Sequence, residues 1–140
     1  MKKFVLIIIT IFLNFKTLAI AENIVPIIEG DKDAKIKIIA YESLTCRFCG
    51  DFHTKVYPEL KKEFIDTGLI NIEFRNFPLD LAALNASKIA HCENNGDSKI
   101  LHYLYKRQNQ WIKGSNILEI NSNLKNCLLY TSPSPRDFQV

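Results

Sequence analysis

The sequence predicts an α/β fold in which strands and helices alternate. Three features predict it: an isoleucine-rich run at Lys35–Tyr41, an amphipathic stretch over 46–66, and a run at Leu69–Phe77 in which apolar and polar residues alternate. Alternation with a period of two is typical of a strand, whereas apolar residues that recur every three to four positions are typical of a helix. The 140 residues are enough for one domain.

The N-terminal part of the domain is expected to contribute two strands. Ile24–Ile28 is apolar but contains Pro26, which cannot donate to a strand ladder, so we expect at most an edge strand there. Gly30 to Asp33 has the composition of a turn. Lys35–Tyr41 predicts a central strand of the sheet.

A helix is expected from about Cys46 to about Asp66. Pro58 lies inside it and should kink it or remove one backbone hydrogen bond. Gly68 is expected to end it in the left-handed cap conformation. The apolar positions recur every four residues and predict one buried stripe with Tyr57 beside it, made of Phe48, Phe52, Val56, Leu60 and Phe64.

After the strand at Leu69–Phe77 only helices are expected. They span 81–93, from Asp97 or Ser98 to 110, and 117–125, and turn sequences separate them. The inward positions predicted for the first two helices are Leu81, Leu84, Ile89 and Cys92, and Ile100, Leu101, Leu104 and Tyr105. Trp111 is expected to pack in the core with its tyrosine neighbours. This order predicts an α/β unit with an unfinished sheet.

The first 21 residues have the build of a secretory signal peptide. Lys2 and Lys3 form a short positive segment, Phe4–Leu13 is almost wholly apolar, and Ala19-Ile20-Ala21 has the small-x-small pattern of a cleavage site. The alternative is a membrane anchor, but an uninterrupted apolar run of ten residues is too short to span a bilayer. We therefore expect export with cleavage after Ala21.

Removing this leader changes the charge of the chain. The sequence has 18 basic and 15 acidic residues, and taking away the leader lysines, Lys2, Lys3 and Lys16, leaves 15 of each. A domain without net charge offers no basis for a nucleic-acid-binding face.

The last residues form a tail of unusual composition. Cys127–Asp137 resembles the translation of a transposon-type sequencing adapter over eleven consecutive residues. The alternative is a disordered tail rich in Ser and Pro. We expect residues 127–140 to be non-native and residues 22–126 to form the domain.

Cys46 and Cys49 are the strongest chemical signal in the sequence. Four cysteines in an exported chain suggest a disulfide framework, but a C-x-x-C pair between a strand and a helix favours a thiol redox motif. Unpaired N–H groups and the dipole of the helix N-terminus, together with the charge of Arg47, are expected to lower the pKa of Cys46. The thiolate is the attacking form. Cys49, one turn further on, is expected to be more buried.

Several residues near this motif leave alternatives open. A zinc site would need two more ligands from His53, His91, Cys92 and His102; the sequence has no second C-x-x-C and no H-x-x-x-H motif, and we predict no metal and no cofactor. Glu42 is either a proton relay to Cys49 or a solvated loop carboxylate. His53, four residues after Cys49, is either a polar group near the cysteines or an exposed helix residue, and we expect it to be exposed. Cys92 is expected to be a small buried hydrophobe, or to pair with a cysteine that lies beyond Asn126 in the native protein.

From about Ile24 to Trp111 the chain resembles the DsbA-like branch of the thioredoxin superfamily. The resemblance lies in K-I-K-I-I-A-Y-E-S-L-T-C-R-F-C-G-D-F-H, Y-P-E-L-K-K-E-F-I-D-T-G, F-R-N-F-P-L-D and A-S-K-I-A-H-C. It implies a thioredoxin fold with a helical domain inserted after the second strand of the motif. Cys46 matches the family's nucleophilic cysteine and Cys49 the resolving one. Arg47-Phe48 stands where many members have Pro-His, a dipeptide that tunes the redox potential.

The resemblance also implies a function. It implies a periplasmic thiol:disulfide oxidoreductase that introduces or exchanges disulfides in reduced or unfolded exported proteins, with a DsbB-like membrane protein as its reoxidant. Two alternatives are a disulfide isomerase or reductase of the same fold, and a metal-binding exported protein that uses the same cysteines. The family's cis-proline loop, last two strands and final helix are expected to be missing here, which leaves the fold incomplete at the C-terminus.

Overall fold

The computed structural model describes residues 23–130. The predicted signal peptide, residues 1–21, lies outside this range, as do residues 131–140 of the predicted tail. Within the described residues, no helix is both long enough and apolar enough to cross a membrane.

Three strands form one mixed sheet. They are β1 (Ile27–Gly30), β2 (Ile36–Glu42) and β3 (Ile70–Asn76), in the order β1-β3-β2. β1 runs antiparallel to β3, and β2 runs parallel to it. Within the described residues β3 is therefore the central strand, and the prediction that the Lys35–Tyr41 strand is central is wrong. Isoleucine content predicts that a segment is a strand, but it does not determine which strands lie beside it.

The register of the strands places two carboxylates on the apolar face of the sheet. Ile72 of β3 lies opposite Ile38 of β2 and Glu29 of β1, so these three side chains share one face. Glu42 follows Ile38 by four residues and points to the same face. Glu29 and Glu42 thus project towards the helices rather than towards solvent.

The helix after β2, α1, consists of four consecutive helical segments. They are Arg47–Asp51, Phe52–Val56, Tyr57–Leu60 and Lys61–Ile65, and the second and fourth are π-helical. Pro58 has no N–H to donate, and the π-helical turn directly before its segment lets the helix continue through it. Gly68 has φ 75°, and its N–H donates to Ile65 O at 3.0 Å, which confirms the predicted left-handed end.

The predicted buried stripe of α1 is confirmed in part: Tyr57 is buried, and Phe52 and Leu60 are partly buried and pack against the core. It is wrong at the other three positions. Phe48, Val56 and Phe64 are exposed. A strict repeat of four residues advances by about 40° per step on a helix of 3.6 residues per turn, and the π-helical segments shift the phase again. The side that faces the sheet and the other helices instead carries Gly50, His53, Tyr57 and Ile65.

Four further helices follow β3. They are α2 (Leu81–Ala90), α3 (Lys99–Lys106), α4 (Gln108–Trp111) and α5 (Ile117–Tyr130). The inward positions predicted for α3 are confirmed at Leu101, Leu104 and Tyr105, which are buried. Trp111 is fully buried as predicted, and its indole N–H donates to Leu104 O at 2.9 Å.

Of the inward positions predicted for the helix at 81–93, Ile89 is partly buried and packs against the core, and the other three are wrong. Leu81 and Leu84 are exposed, and Cys92 is exposed just beyond the end of α2. The buried side of α2 consists of small residues, which let its backbone approach the neighbouring elements closely: Ala82, Ala83, Ala86, Ser87 and Ala90.

α5 passes the predicted domain boundary at Asn126 without a break. Cys127 is buried in the core cluster, and its carbonyl oxygen accepts a hydrogen bond from the Tyr103 hydroxyl at 3.0 Å. The helix therefore ends five residues later than the sequence predicts. That residues from 127 onwards are non-native stays a prediction.

Candidate active site

Cys46 lies at the junction between β2 and α1. It directly precedes α1 and has an extended backbone, φ −72° and ψ 119°, as a helix N-cap does. Its N–H donates to Ser43 O at 3.0 Å, and its carbonyl oxygen accepts from the Gly50 N–H at 3.1 Å. These bonds fix the sulfur at the N-terminus of α1, where the sequence predicts it.

The two cysteines of the C-x-x-C motif differ in pKa. Burial acts to raise the pKa of Cys46, but hydrogen bonds from the Cys49 side chain and from the N–H groups of Cys49 and Phe48 outweigh it and lower the pKa. Burial raises the pKa of Cys49 to about 11, with further contributions from Cys46 and from the charge of Glu42. Cys46 is therefore the sulfur that ionises more readily near neutral pH.

The two residues between the cysteines face solvent. Phe48 is 82% exposed, and Arg47 is also exposed. The pKa of Asp51 is lowered, first by its hydrogen bond with Lys55 and then by the charges of Lys55 and Arg47. That the Arg47-Phe48 dipeptide tunes the redox potential stays a prediction.

Glu42 and His53 form a buried pair beneath the cysteines. They are 7% and 6% exposed, and His53 Nε2 lies 2.6 Å from Glu42 Oε2. The expectation that His53 is exposed is therefore wrong, and so is the alternative of a solvated Glu42. His53 is buried because it lies one turn from Tyr57 on the side of α1 that faces the sheet. Burial lowers the pKa of His53, against the opposing effect of Glu42.

The buried pair continues into a longer polar chain. His53 Nδ1 lies 2.9 Å from His102 Nδ1, and His102 Nε2 lies 2.5 Å from Glu29 Oε1. The Tyr57 hydroxyl donates to the other oxygen of Glu29. We call the four groups Glu42, His53, His102 and Glu29 the buried acid–histidine chain. It connects β2, α1, α3 and β1.

Aromatic rings enclose the two histidines. The Tyr105 ring stacks on His53 with 3.9 Å between ring centroids, and the Tyr57 ring stacks on His102 at 4.5 Å. Burial raises the pKa of both tyrosines, and the charge of Glu42 raises that of Tyr105 further. The tyrosines therefore remain neutral, and each ring covers one face of an imidazole.

Gln108 of α4 holds the segment that carries Cys46. Its buried side-chain N–H₂ donates to Leu44 O and Cys46 O, both at 2.8 Å. A Cβ atom on Gly50 would lie 2.5 Å from Gln108 Oε1, so this approach requires a glycine. Gln108 was not predicted from the sequence, because nothing in the sequence distinguishes it from the exposed polar residues around it.

The other sequence candidates lie apart from this arrangement. Cys92 is exposed, contrary to the expectation of a buried hydrophobe, and Cys46, Cys49 and Cys92 are unbridged. Among residues 23–130, no group of three or more His, Cys, Asp or Glu side chains is placed to hold a metal ion.

Comparisons with known proteins identify the family and the fold. The family model described as "Thioredoxin" matches residues 22–133. A Rickettsia bellii protein named "Putative protein-disulfide oxidoreductase" is 33% identical over 110 residues, which cover 77% of this chain and 42% of that protein. The chain therefore spans less than half the length of this relative.

Two solved structures have the same fold. The crystal structure of alpha-DsbA1 from Wolbachia pipientis superposes with a TM-score of 0.67 at 29% identity and covers 79% of this chain and 56% of that one. A protein-disulfide isomerase from Novosphingobium aromaticivorans superposes with a TM-score of 0.64 at 22% identity, over 71% of this chain and 61% of that one.

These likenesses define a thioredoxin-like α/β protein of the DsbA type, as the sequence resemblance implies. Because the family model matches most of its length, the chain belongs to the thioredoxin family.

The contact between Gly50 and Gln108 can be tested by a double-mutant cycle. Gly50→Ala should lower the free energy of unfolding by about 1–3 kcal/mol, because its methyl group displaces the Gln108 amide. Gln108→Ala should cost a similar amount, because two buried carbonyl groups lose their donor. Together they should cost less than their sum by about 1 kcal/mol or more, measured by urea unfolding. Additive costs would show that the two residues do not compete for the same space.

Glu29 should make stability depend on acid pH. Its burial acts to raise the pKa, but hydrogen bonds from His102, Ser98 and Tyr57 and the charge of His102 lower it from 4.5 to about 2. Since the folded-state pKa is the lower one, the stabilisation is fully present above about pH 4.5 and is lost as the pH falls towards 2. Glu29→Gln should cost about 2 kcal/mol at pH 7 and flatten this acid slope in denaturant titrations.

The exposed Glu59 provides the matched control for this measurement. Glu59→Gln should change the free energy of unfolding by less than about 0.5 kcal/mol and leave the slope unchanged. An acid slope that persists in full in Glu29→Gln would contradict the role of Glu29.

Proposed function

We propose that this chain acts in thiol:disulfide exchange, as an exported oxidoreductase that passes a Cys46–Cys49 disulfide to other proteins. The observation that supports this most directly is the opposite shift of the two cysteine pKa values. A sulfur with a lowered pKa is a good leaving group, so a mixed disulfide at Cys46 is resolved readily in favour of the substrate.

The proposed exchange has two steps. A substrate thiolate attacks Cys46 Sγ, the substrate–Cys46 bond forms, and the Cys46–Cys49 bond breaks with its electron pair on Cys49. A second substrate thiolate then attacks the first substrate sulfur, and Cys46 leaves as a thiolate. Two electrons pass from the substrate dithiol, which is oxidised to a disulfide, to the protein disulfide, which is reduced to a Cys46 thiolate and, once protonated, a Cys49 thiol.

The surroundings of the motif support a polypeptide as the substrate. Phe48 and Tyr41 are exposed large apolar side chains beside the cysteines. Together with Glu42 and Cys49 they border an open, mainly apolar hollow, which we call the Cys49 hollow. A reduced or partly unfolded protein exposes the apolar segments that such a surface would contact.

Location and redox partner belong to the same proposal. The signal-peptide pattern of residues 1–21 supports export to the periplasm, a compartment in which disulfides form and persist. After each cycle both cysteines are reduced, so a second protein must take up the two electrons. We propose a DsbB-like membrane protein for this step. The names of the Rickettsia bellii and Wolbachia pipientis proteins support disulfide exchange as the proposed activity.

The test is a comparison of two Cys→Ser variants of the purified chain. Cys46→Ser should abolish catalysed oxidation of a reduced two-cysteine peptide, because no disulfide can form at the motif. Cys92→Ser removes an exposed cysteine and should leave the rate unchanged. The rate is followed by the loss of peptide thiols in glutathione buffers. Catalysis by Cys46→Ser at the wild-type rate would refute the proposal.

A further inference from the structure

The buried acid–histidine chain holds one proton in each of its three hydrogen bonds. A carboxylate oxygen and an imidazole nitrogen cannot bond unless one of them has a proton, and the same holds for two imidazole nitrogens. The three contacts are Glu42 Oε2 to His53 Nε2, His53 Nδ1 to His102 Nδ1, and His102 Nε2 to Glu29 Oε1. Each proton can lie at either end of its bond.

This arrangement lets a charge cross the chain without any movement of heavy atoms. In one state His102 has both ring protons, His53 is neutral and both carboxylates are ionised. If the two protons nearest Glu42 each move along their bonds, Glu42 becomes protonated and His102 becomes neutral. One proton has then been transferred from His102 to Glu42, while Glu29 remains ionised, in agreement with its pKa of about 2.

The buried acid–histidine chain borders two different surface hollows, one at Glu42 and one at His102. Glu42 borders the Cys49 hollow together with Cys49. His102 and His53 both border a separate groove that also contains Lys61 and Lys106, and we call this the His102 groove. The His102 side chain is 25% exposed, whereas that of His53 is 1% exposed. On the groove side, solvent therefore reaches the chain at His102, whereas His53, which links His102 to Glu42, is closed to solvent.

Cys49 leaves the disulfide as a thiolate and must then take up a proton. With a pKa of about 11, this thiolate takes up a proton near neutral pH. Tyr105 also lies near Cys49, but burial and the charge of Glu42 raise its pKa, so it holds its proton.

We propose that the buried acid–histidine chain is a proton relay that brings a proton from the His102 groove to Cys49 when the disulfide opens, and returns it when the disulfide closes. The proposal rests on the proposed disulfide exchange. His53 and His102 act through Glu42 and are positioning residues.

The proton balance follows the two-step exchange. When the Cys46–Cys49 bond breaks, the electron pair stays on Cys49 Sγ, and protonated Glu42 supplies the proton that forms the thiol. Both nitrogens of each imidazole are engaged in the chain, so the rings must rotate to reset it. With His102 turned towards the groove, a proton from solvent replaces the one that Cys49 received. The substrate thiols release two protons to solvent and Cys49 takes up one, so each exchange releases one proton while Cys46 remains a thiolate.

The groups that face the two imidazoles determine how the relay responds to pH. Carboxylates approach from β1 and β2, neutral phenols approach from α1 and α3, and two lysines border the groove. These groups are Glu29, Glu42, Tyr57, Tyr105, Lys61 and Lys106. The carboxylates favour the extra proton on the chain, and the lysines at the groove oppose it.

The test replaces each histidine by glutamine in the full chain. A glutamine side chain at either position can still donate and accept hydrogen bonds, but an amide does not pass a proton on as an imidazole does. His53→Gln and His102→Gln should slow the reduction of the Cys46–Cys49 disulfide by dithiothreitol by on the order of 100-fold at pH 7. His91→Gln, which replaces a histidine outside the chain, is the control and should react at the wild-type rate.

A second readout separates proton transfer from a structural effect. The wild-type rate should not depend on buffer concentration, because the relay supplies the proton. The rate of His53→Gln should rise with buffer concentration, because buffer molecules in the Cys49 hollow then become the proton source. The wild-type protein should also react more slowly in D₂O, a result that needs no variant to fold.

The outcomes distinguish the two proposals. If wild-type protein reacts no faster with dithiothreitol than an unstructured peptide disulfide does, the proposed function fails. If the wild type reacts fast but folded His53→Gln and His102→Gln match it at every buffer concentration, the relay is refuted. A wild-type rate that is equal in H₂O and D₂O would also refute it.

Discussion

The burial of Glu42 is the constraint on which the arrangement of the site depends. A carboxylate excluded from water must be paired with a hydrogen-bond donor or a positive charge. His53 meets this need, and its own burial in turn requires His102, which bonds to Glu29. Because the four groups come from two strands and two helices, pairing them fixes α1 and α3 against the sheet. The same contacts place Cys49 near the Glu42 end of the buried acid–histidine chain.

The difference between the two cysteines follows from this placement. Cys46 caps α1, where N–H groups stabilise its thiolate, while Cys49 lies deeper, near the Glu42 charge. Gln108 holds the backbone of this turn from the helical part of the chain, so the geometry at Cys46 depends on a residue far away in the sequence. The strand-to-helix turn and the inserted helices thus form one site.

The sequence predicted the local elements better than their packing. β2, β3, the Cys46 cap and the Gly68 end were predictable, because each depends on a few adjacent residues. β1 lies two to three residues later than the apolar run Ile24–Ile28 that predicted it. The buried side of α1 was not, because π-helical segments shift its phase and leave no clear pattern in the sequence. The pairing of Glu42 with His53 could have been predicted, because the strand period and the helix period place these side chains on faces that pack together. The contact with His102 depends on tertiary structure.

The central claim is that Cys46 and Cys49 have pKa values on opposite sides of the ordinary cysteine value. The most direct measurement is the alkylation rate of each cysteine in the reduced protein as a function of pH, resolved by mass spectrometry of the modified peptides. Cys46 should react with an apparent pKa below the ordinary value, and Cys49 should remain almost unreactive until well above pH 9. Equal pKa values for the two thiols, or the reverse order, would contradict the account.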